Sequence, residues 1–172
     1  MKLTTKQLTL CAVLTAMALA LSYLENFFPL SLAIPIPGVK LGLANIVTVF
    51  ALYVLGPGQA LMILIARCFL GAVFAGNMNA LIFSVMGGVT AMLMMILLSK
   101  FRKLSVYGVS IGGAAAHNCG QVAAAIITLG NSAPLYYLPI LLSVSLFTGA
   151  LTGLIAATLF KALAHTNLMK DI

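Results

Sequence analysis

Residues 79–99 read NALIFSVMGGVTAMLMMILLS, a stretch without one charged side chain. The hydrocarbon core of a bilayer takes about 20 apolar residues of helix to cross, so this stretch is long enough to span by itself. Cuts at Pro, Gly and charge clusters leave further apolar stretches near 8–24, 41–56, 59–76, 105–130 and 136–164. Between them lie Gly56-Pro57-Gly58, Gly76-Asn77-Met78-Asn79, the charged Lys100-Phe101-Arg102-Lys103 and the polar Gly130-Asn131-Ser132-Ala133-Pro134, which read as turns and loops. The expectation is an all-α integral membrane protein, one membrane domain over 1–172 built as a six-transmembrane-helix bundle. Stretches 41–56 and 59–76 are short for a span, and the last two are long enough to tilt.

Composition points the same way. Of 172 residues 63% are hydrophobic and 6% charged, with a mean hydropathy of +1.18, whereas a soluble domain is about 25% charged. Too little polar surface is left to cover a water-soluble core. Nine Lys and Arg stand against two acids, Glu25 and Asp171. The basic residues form no arginine-rich stripe and no aromatic-basic pattern, so lipid headgroups account for them and nucleic acid does not. In a six-span arrangement Lys2, Lys6, Lys100, Arg102, Lys103, Lys161 and Lys170 share one side, with Lys40 on the other. The positive-inside rule then places both the N and C termini in the cytoplasm.

Lys2 and Lys6 ahead of the run Leu8 to Leu21, with small-x-small steps at Ala16, Ala18 and Ala20, also fit a signal peptide. A retained first helix is the simpler reading, because the run nearly spans alone. Cys11, Cys68 and Cys119 lie in apolar runs without C-x-x-C spacing and read as small core residues, not as a disulfide framework or a metal site.

A few polar residues sit where lipid would not tolerate them. Arg67 falls near the middle of the third stretch, where an unpaired Arg costs about 2.5–3.5 kcal/mol. It either anchors a carboxylate or phosphate through its planar fork of donors or forms an internal ion pair with Glu25. Lys40 follows Pro37-Gly38 at the start of the second stretch, with Asn45 shortly after; it is an anion site at a helix N-terminus or a snorkelling interfacial Lys. His117 and Gln121 are four residues apart and share a helix face, as do Asn118 and Gln121, three apart. They hydrogen-bond a ligand or serve as polar glue between helices. Asn77, Asn79, Tyr136 and Tyr137 fall at the expected outer ends, at a pocket mouth or in an interfacial belt. Segment 25–40 holds Pro29, Pro35 and Pro37 yet remains greasy, and Phe27 and Phe28 in it belong to a lid or to an interfacial connector. Ala12, Ala16 and Ala20 recur every four residues and Gly149 and Gly153 are likewise spaced; such faces serve packing within the bundle or docking of a separate membrane subunit.

Several chemistries are excluded. No Walker A loop occurs, and no Ser-His-acid set is available, since the one Asp, Asp171, lies in the tail. A polyprenyl-diphosphate synthase needs clustered aspartates to hold magnesium, and this chain has no pair of acids. The chain reads as a solute-binding or channel-like membrane subunit without metal or cofactor of its own.

The strings PGVKLGLANI at 37–46, SVMGG at 84–88 and GGAAAHNCGQ at 112–121, together with Arg67, Tyr137-Leu138-Pro139 and Thr148-Gly149, resemble the Gx transporter family, often labelled heptaprenyl diphosphate synthase component I. The resemblance covers nearly the whole chain. That family is similar in fold to the substrate-binding S components of energy-coupling factor transporters of prokaryotic cytoplasmic membranes. The resemblance implies capture of a vitamin-like solute at the outer face, with the loop after the first helix as lid. It also implies docking on a transmembrane coupling subunit driven by two ATPase subunits that consume ATP. Ala12, Ala16 and Ala20 look like the alanine motif for that docking. The candidate substrate-binding residues are Lys40, Asn45, Arg67, His117, Asn118, Gln121 and Tyr137. Two other readings remain: a non-catalytic membrane partner in isoprenoid or quinone synthesis, and a membrane component of a flavin-linked redox system.

Overall fold

The computed structural model describes residues 4–25, 42–101 and 103–164. Among these residues the chain forms six α-helices and no strand: α1 Thr5–Glu25, α2 Leu43–Val54, α3 Pro57–Ala75, α4 Met78–Ser99, α5 Val106–Leu129 and α6 Leu138–Ala164, with a short 3-10 turn Ala133–Tyr137 ahead of α6. Their boundaries follow local chemistry. Pro57 opens α3 at a position where its missing N–H costs nothing. Asn77 caps α4 by accepting the backbone N–H groups of Asn79 at 3.0 Å and Ala80 at 3.2 Å.

Neighbouring helices close a ring in the order α1, α3, α4, α5, α6, α2, and α2 also packs on α3. The interior holds Val49, Ile63, Leu64, Met92, Met95 and Val109, all fully buried. Large apolar side chains also face outward, among them Phe69, Leu93, Ile127 and Phe147. Exposed apolar surface all round a bundle is what a lipid solvent calls for and what water would punish. The hydroxyl groups inside are satisfied locally or used as ties between helices, as lipid requires. Thr15 and Thr48 donate to carbonyls four residues back. Thr90 reaches from α4 to the Ala116 carbonyl at 2.9 Å, and Ser110 and Thr152 join α5 to α6 at 2.7 Å.

Among the described residues four segments are long and apolar enough to cross a membrane: α1, α3, α4 and the stretch from the 3-10 turn through α6. This refines the expectation of six spans. Helix α2 has 12 residues, about 18 Å of helix against a core of about 30 Å. Helix α5 has 24 residues, but His117, Asn118, Gln121 and its glycines dilute its apolar character. The protein is a multi-pass helical membrane protein.

Small residues set the closest helix contacts. A Cβ on Gly149 would fall 2.5 Å from the Ile111 Cα, and one on Gly153 would fall 3.0 Å from the Tyr107 Cα. The Gly149 to Gly153 face is therefore the seam between α6 and α5, inside the bundle. Ala12, Ala16 and Ala20 behave differently: all three are exposed, while Cys11, Leu14, Thr15 and Ala18 turn the other face of α1 inward. Cys11 and Cys68 are buried as expected, but Cys119 is exposed on the outer surface of α5, which corrects its reading as a core residue.

Candidate functional site

A cavity of about 770 Å³ opens among the C-terminal end of α1, the first turn of α2, the C-terminal half of α3, the start of α4 and the middle of α5. The end of α1 and the start of α2 meet there because the Glu25 carboxylate accepts the backbone N–H of Gly42. Gly42 precedes α2 with φ of 78°, a left-handed conformation that a side chain would strain. Glu25 is buried even though it ends a helix.

Arg67 reaches the cavity from α3, at the start of the half that lines it. Its Nη2 donates to Asn45 Oδ1 at 3.3 Å, tying α3 to the first turn of α2. Its Nε is buried and has no hydrogen-bond partner among the described residues. A guanidinium carries five donors, and leaving one desolvated without an acceptor costs about 1–3 kcal/mol or more for a charged group. Among the described residues the Glu25 carboxylate accepts from the Gly42 N–H just before α2, and Arg67 donates to Asn45 in its first turn.

The opposite wall comes from α5. His117 and Gln121 line the cavity one helical turn apart. They sit there because α4 offers no side chain beneath them: a Cβ on Gly87 would fall 2.9 Å from His117 Cε1 and 3.0 Å from Gln121 Cγ. The helices themselves approach closely, since a Cβ on Gly120 would fall 2.6 Å from the Met86 carbonyl oxygen. Apolar and small residues complete the lining, including Leu19, Leu24, Ala72, Phe74 and Ala80. A few polar groups set among apolar walls are the usual make-up of a small-molecule pocket.

Asn45, Arg67, His117 and Gln121 thus come together. Asn118 does not line the cavity; it is buried on another face of α5 and donates to the Leu141 carbonyl at 2.9 Å, a tie to α6. Tyr137 stands in the 3-10 turn before α6, exposed and away from the lining. Ala20 lines the cavity while also ending the exposed alanine face of α1. Lys40, Phe27 and Phe28 lie outside the described residues. Reasoning from the sequence missed Glu25 as a wall residue, though its being the sole acid outside the C-terminal tail was the available signal. It also missed Cys68 and Ser84, which meet across the α3–α4 contact at 3.5 Å with Sγ donating to the Ser84 carbonyl. Among the described residues no three His, Cys, Asp or Glu side chains gather as a metal-binding group.

Fold and cavity together define a multi-pass helical membrane protein with an internal pocket whose described lining includes the Arg67 guanidinium and the Glu25 carboxylate. The chain belongs to the heptaprenyl diphosphate synthase component I family, which it matches over residues 14–159. Neither the curated proteins nor the solved structures offer a match to it.

Proposed function

We propose that the chain is the substrate-binding membrane subunit of an uptake system for a small, vitamin-like or precursor solute bearing an anionic group. A separate transmembrane coupling subunit and two ATPase subunits supply the energy, and the chain itself carries out no catalysis. The observation that carries this reading is Arg67: a guanidinium brought into a membrane-embedded cavity with its Nε buried and lacking an acceptor among the described residues. A carboxylate or phosphate arriving there would meet a charge already desolvated and held by Asn45. The size of the cavity suits a molecule of vitamin scale. The exposed face of Ala12, Ala16 and Ala20 supports docking of a coupling subunit, since small residues left at the lipid surface of α1 permit close approach of another helix.

The family's printed name favours a second reading, a non-catalytic membrane partner of an isoprenoid-synthesising enzyme. With two acids in 172 residues the chain is poorly equipped to hold magnesium diphosphate itself. One experiment separates the readings. Wild type and Arg67→Gln are purified from membranes, denatured, and their small molecules identified by mass spectrometry. The transport reading expects a compound with a carboxylate or phosphate in the wild type, depleted about ten-fold or more in the variant. Equal recovery from both proteins, or prenyl-synthase activity in membranes that depends on this chain, would overturn it.

A further inference from the structure

Asn118 and Gln121 lie three residues apart on α5 and both are buried, yet they are used differently. Asn118 donates to the Leu141 carbonyl of α6 at 2.9 Å. The Gln121 carboxamide makes no hydrogen bond among the described residues, although the residue is only 6% exposed and lines the cavity. A buried side-chain amide that bonds nothing is uncommon and asks for a reason. Its direction is fixed from behind. A Cβ on Gly87 would fall 3.0 Å from Gln121 Cγ, so the side-chain stem lies against bare α4 backbone, and a Cβ on the adjoining Gly120 would fall 2.6 Å from the Met86 carbonyl oxygen. Thr90 of α4 donates to the Ala116 carbonyl at 2.9 Å, a little over a turn earlier on α5. The amide therefore stands on a closely packed wall, on the side of the cavity opposite Arg67, without serving as glue between helices.

A carboxamide shows an acceptor and a donor side by side in one plane, and flipping it exchanges their places without changing the pair. The guest that satisfies both carries the same pair in reverse, as a lactam, ureide, primary amide or amino-substituted nitrogen heterocycle does; Asn and Gln read the edge of adenine in this way. We infer that the cavity takes an anion whose body carries such a donor–acceptor edge, with the anionic group on Arg67 and the edge paired to Gln121. The inference rests on the ligand-binding reading of the cavity and narrows its substrate class from anions in general to amide-bearing or amino-heterocyclic anions. Polyanions such as diphosphates match poorly, because they bring acceptors alone and would set one against the Gln121 carbonyl. Plain aliphatic or aromatic carboxylates match poorly too, since they would cover the amide and return neither bond.

The test uses the full chain in lipid nanodiscs, with binding read by calorimetry. The probes are para-carbamoylbenzoate and the longer para-carbamoyl-phenylpropanoate, each compared with the ketone in which a methyl group replaces the amide nitrogen, and para-methylbenzamide, which has the edge without the anion. In the wild type at least one of the amide-bearing anions is expected to bind about ten-fold tighter than its ketone, with para-methylbenzamide weaker than that anion. Gln121→Leu should close the gap between amide and ketone, and Arg67→Lys should weaken the two together. The wild-type ranking needs no variant, so a poorly folding substitution cannot blunt the test. If amide and ketone bind alike at both lengths, or the gap persists in Gln121→Leu, the part given to Gln121 is overturned; where Arg67→Lys still weakens both, the anion-binding cavity stands. If no probe binds, the proposal is overturned and the ligand-binding reading falls with it.

Discussion

Gly120 is the residue on which the cavity's back wall depends most directly. Its missing side chain lets α5 lie against the α4 backbone, and a methyl there would meet Thr90 Oγ1, the Met86 carbonyl at 2.6 Å and the Gly87 Cα at 2.9 Å. Two of those atoms are backbone and cannot swing aside. Gly120→Ala is expected to lower stability by about 1–3 kcal/mol, measured as the loss of thermal unfolding temperature in detergent. Gly71→Ala, whose Cβ would meet only Leu19 Cδ2 at 3.6 Å, should leave that temperature nearly unchanged. The contrast separates a helix contact from a loosely bordered position. At this scale the sequence was informative wherever a polar side chain broke an apolar run. Asn45, Arg67, His117 and Gln121 stood out for that reason, and all four line the cavity. Ala72, Ala80 and Phe74 line it too, but a small or apolar residue in a membrane helix carries no mark of which way it faces. Asn118 shows the limit from the other side: one residue from His117 is about 100° of helix rotation, enough to turn it to α6.

Each helix has its own logic of length and ends. Asn77 holds the start of α4 at the cavity rim, two residues before Asn79 and three before the lining residue Ala80. Asn77→Ala removes both accepted bonds and is expected to cost about 1 kcal/mol locally, seen as faster amide hydrogen exchange at 78–81 with little change at the helix centre. The apolar stretches marked the helices well, because Gly, Pro and charge punctuate them. What they could not show is why α2 is so short. The apolar pattern of 41–56 runs past both ends, yet Gly42 at φ 78° and Gly56 at φ 90° leave right-handed backbone on either side of Leu43–Val54. A left-handed glycine looks like any other glycine until the backbone is seen. The ring order of the helices was equally hidden, since it depends on which small faces meet, and Gly149 with Gly153 met α5 while the alanine face of α1 stays exposed.

For the molecule as a whole, orientation and partnership are the open quantities that mutation can reach. Reporters active only in the cytoplasm, fused in turn to the N and C terminus, are expected to be active at both ends; activity at one end alone would contradict an even number of crossings. Ala16→Leu is expected to abolish co-purification of a coupling subunit while changing the thermal unfolding temperature of the isolated chain little, because the residue is exposed. Loss of both together would instead mean that the alanine face stabilises the bundle itself.

The cavity draws its described lining from residues 19 to 121, so α6 contributes no wall to it. Yet α6 holds α5 by the Asn118 bond to Leu141 and the Ser110 bond to Thr152, and thereby fixes the rotation at which His117 and Gln121 face inward. Helix α6 acts as a rudder: it forms no wall of the cavity, yet a small twist of it re-aims side chains that do. If the cavity binds a solute as proposed, variants along the α5–α6 seam are expected to alter its preference without touching a lining residue.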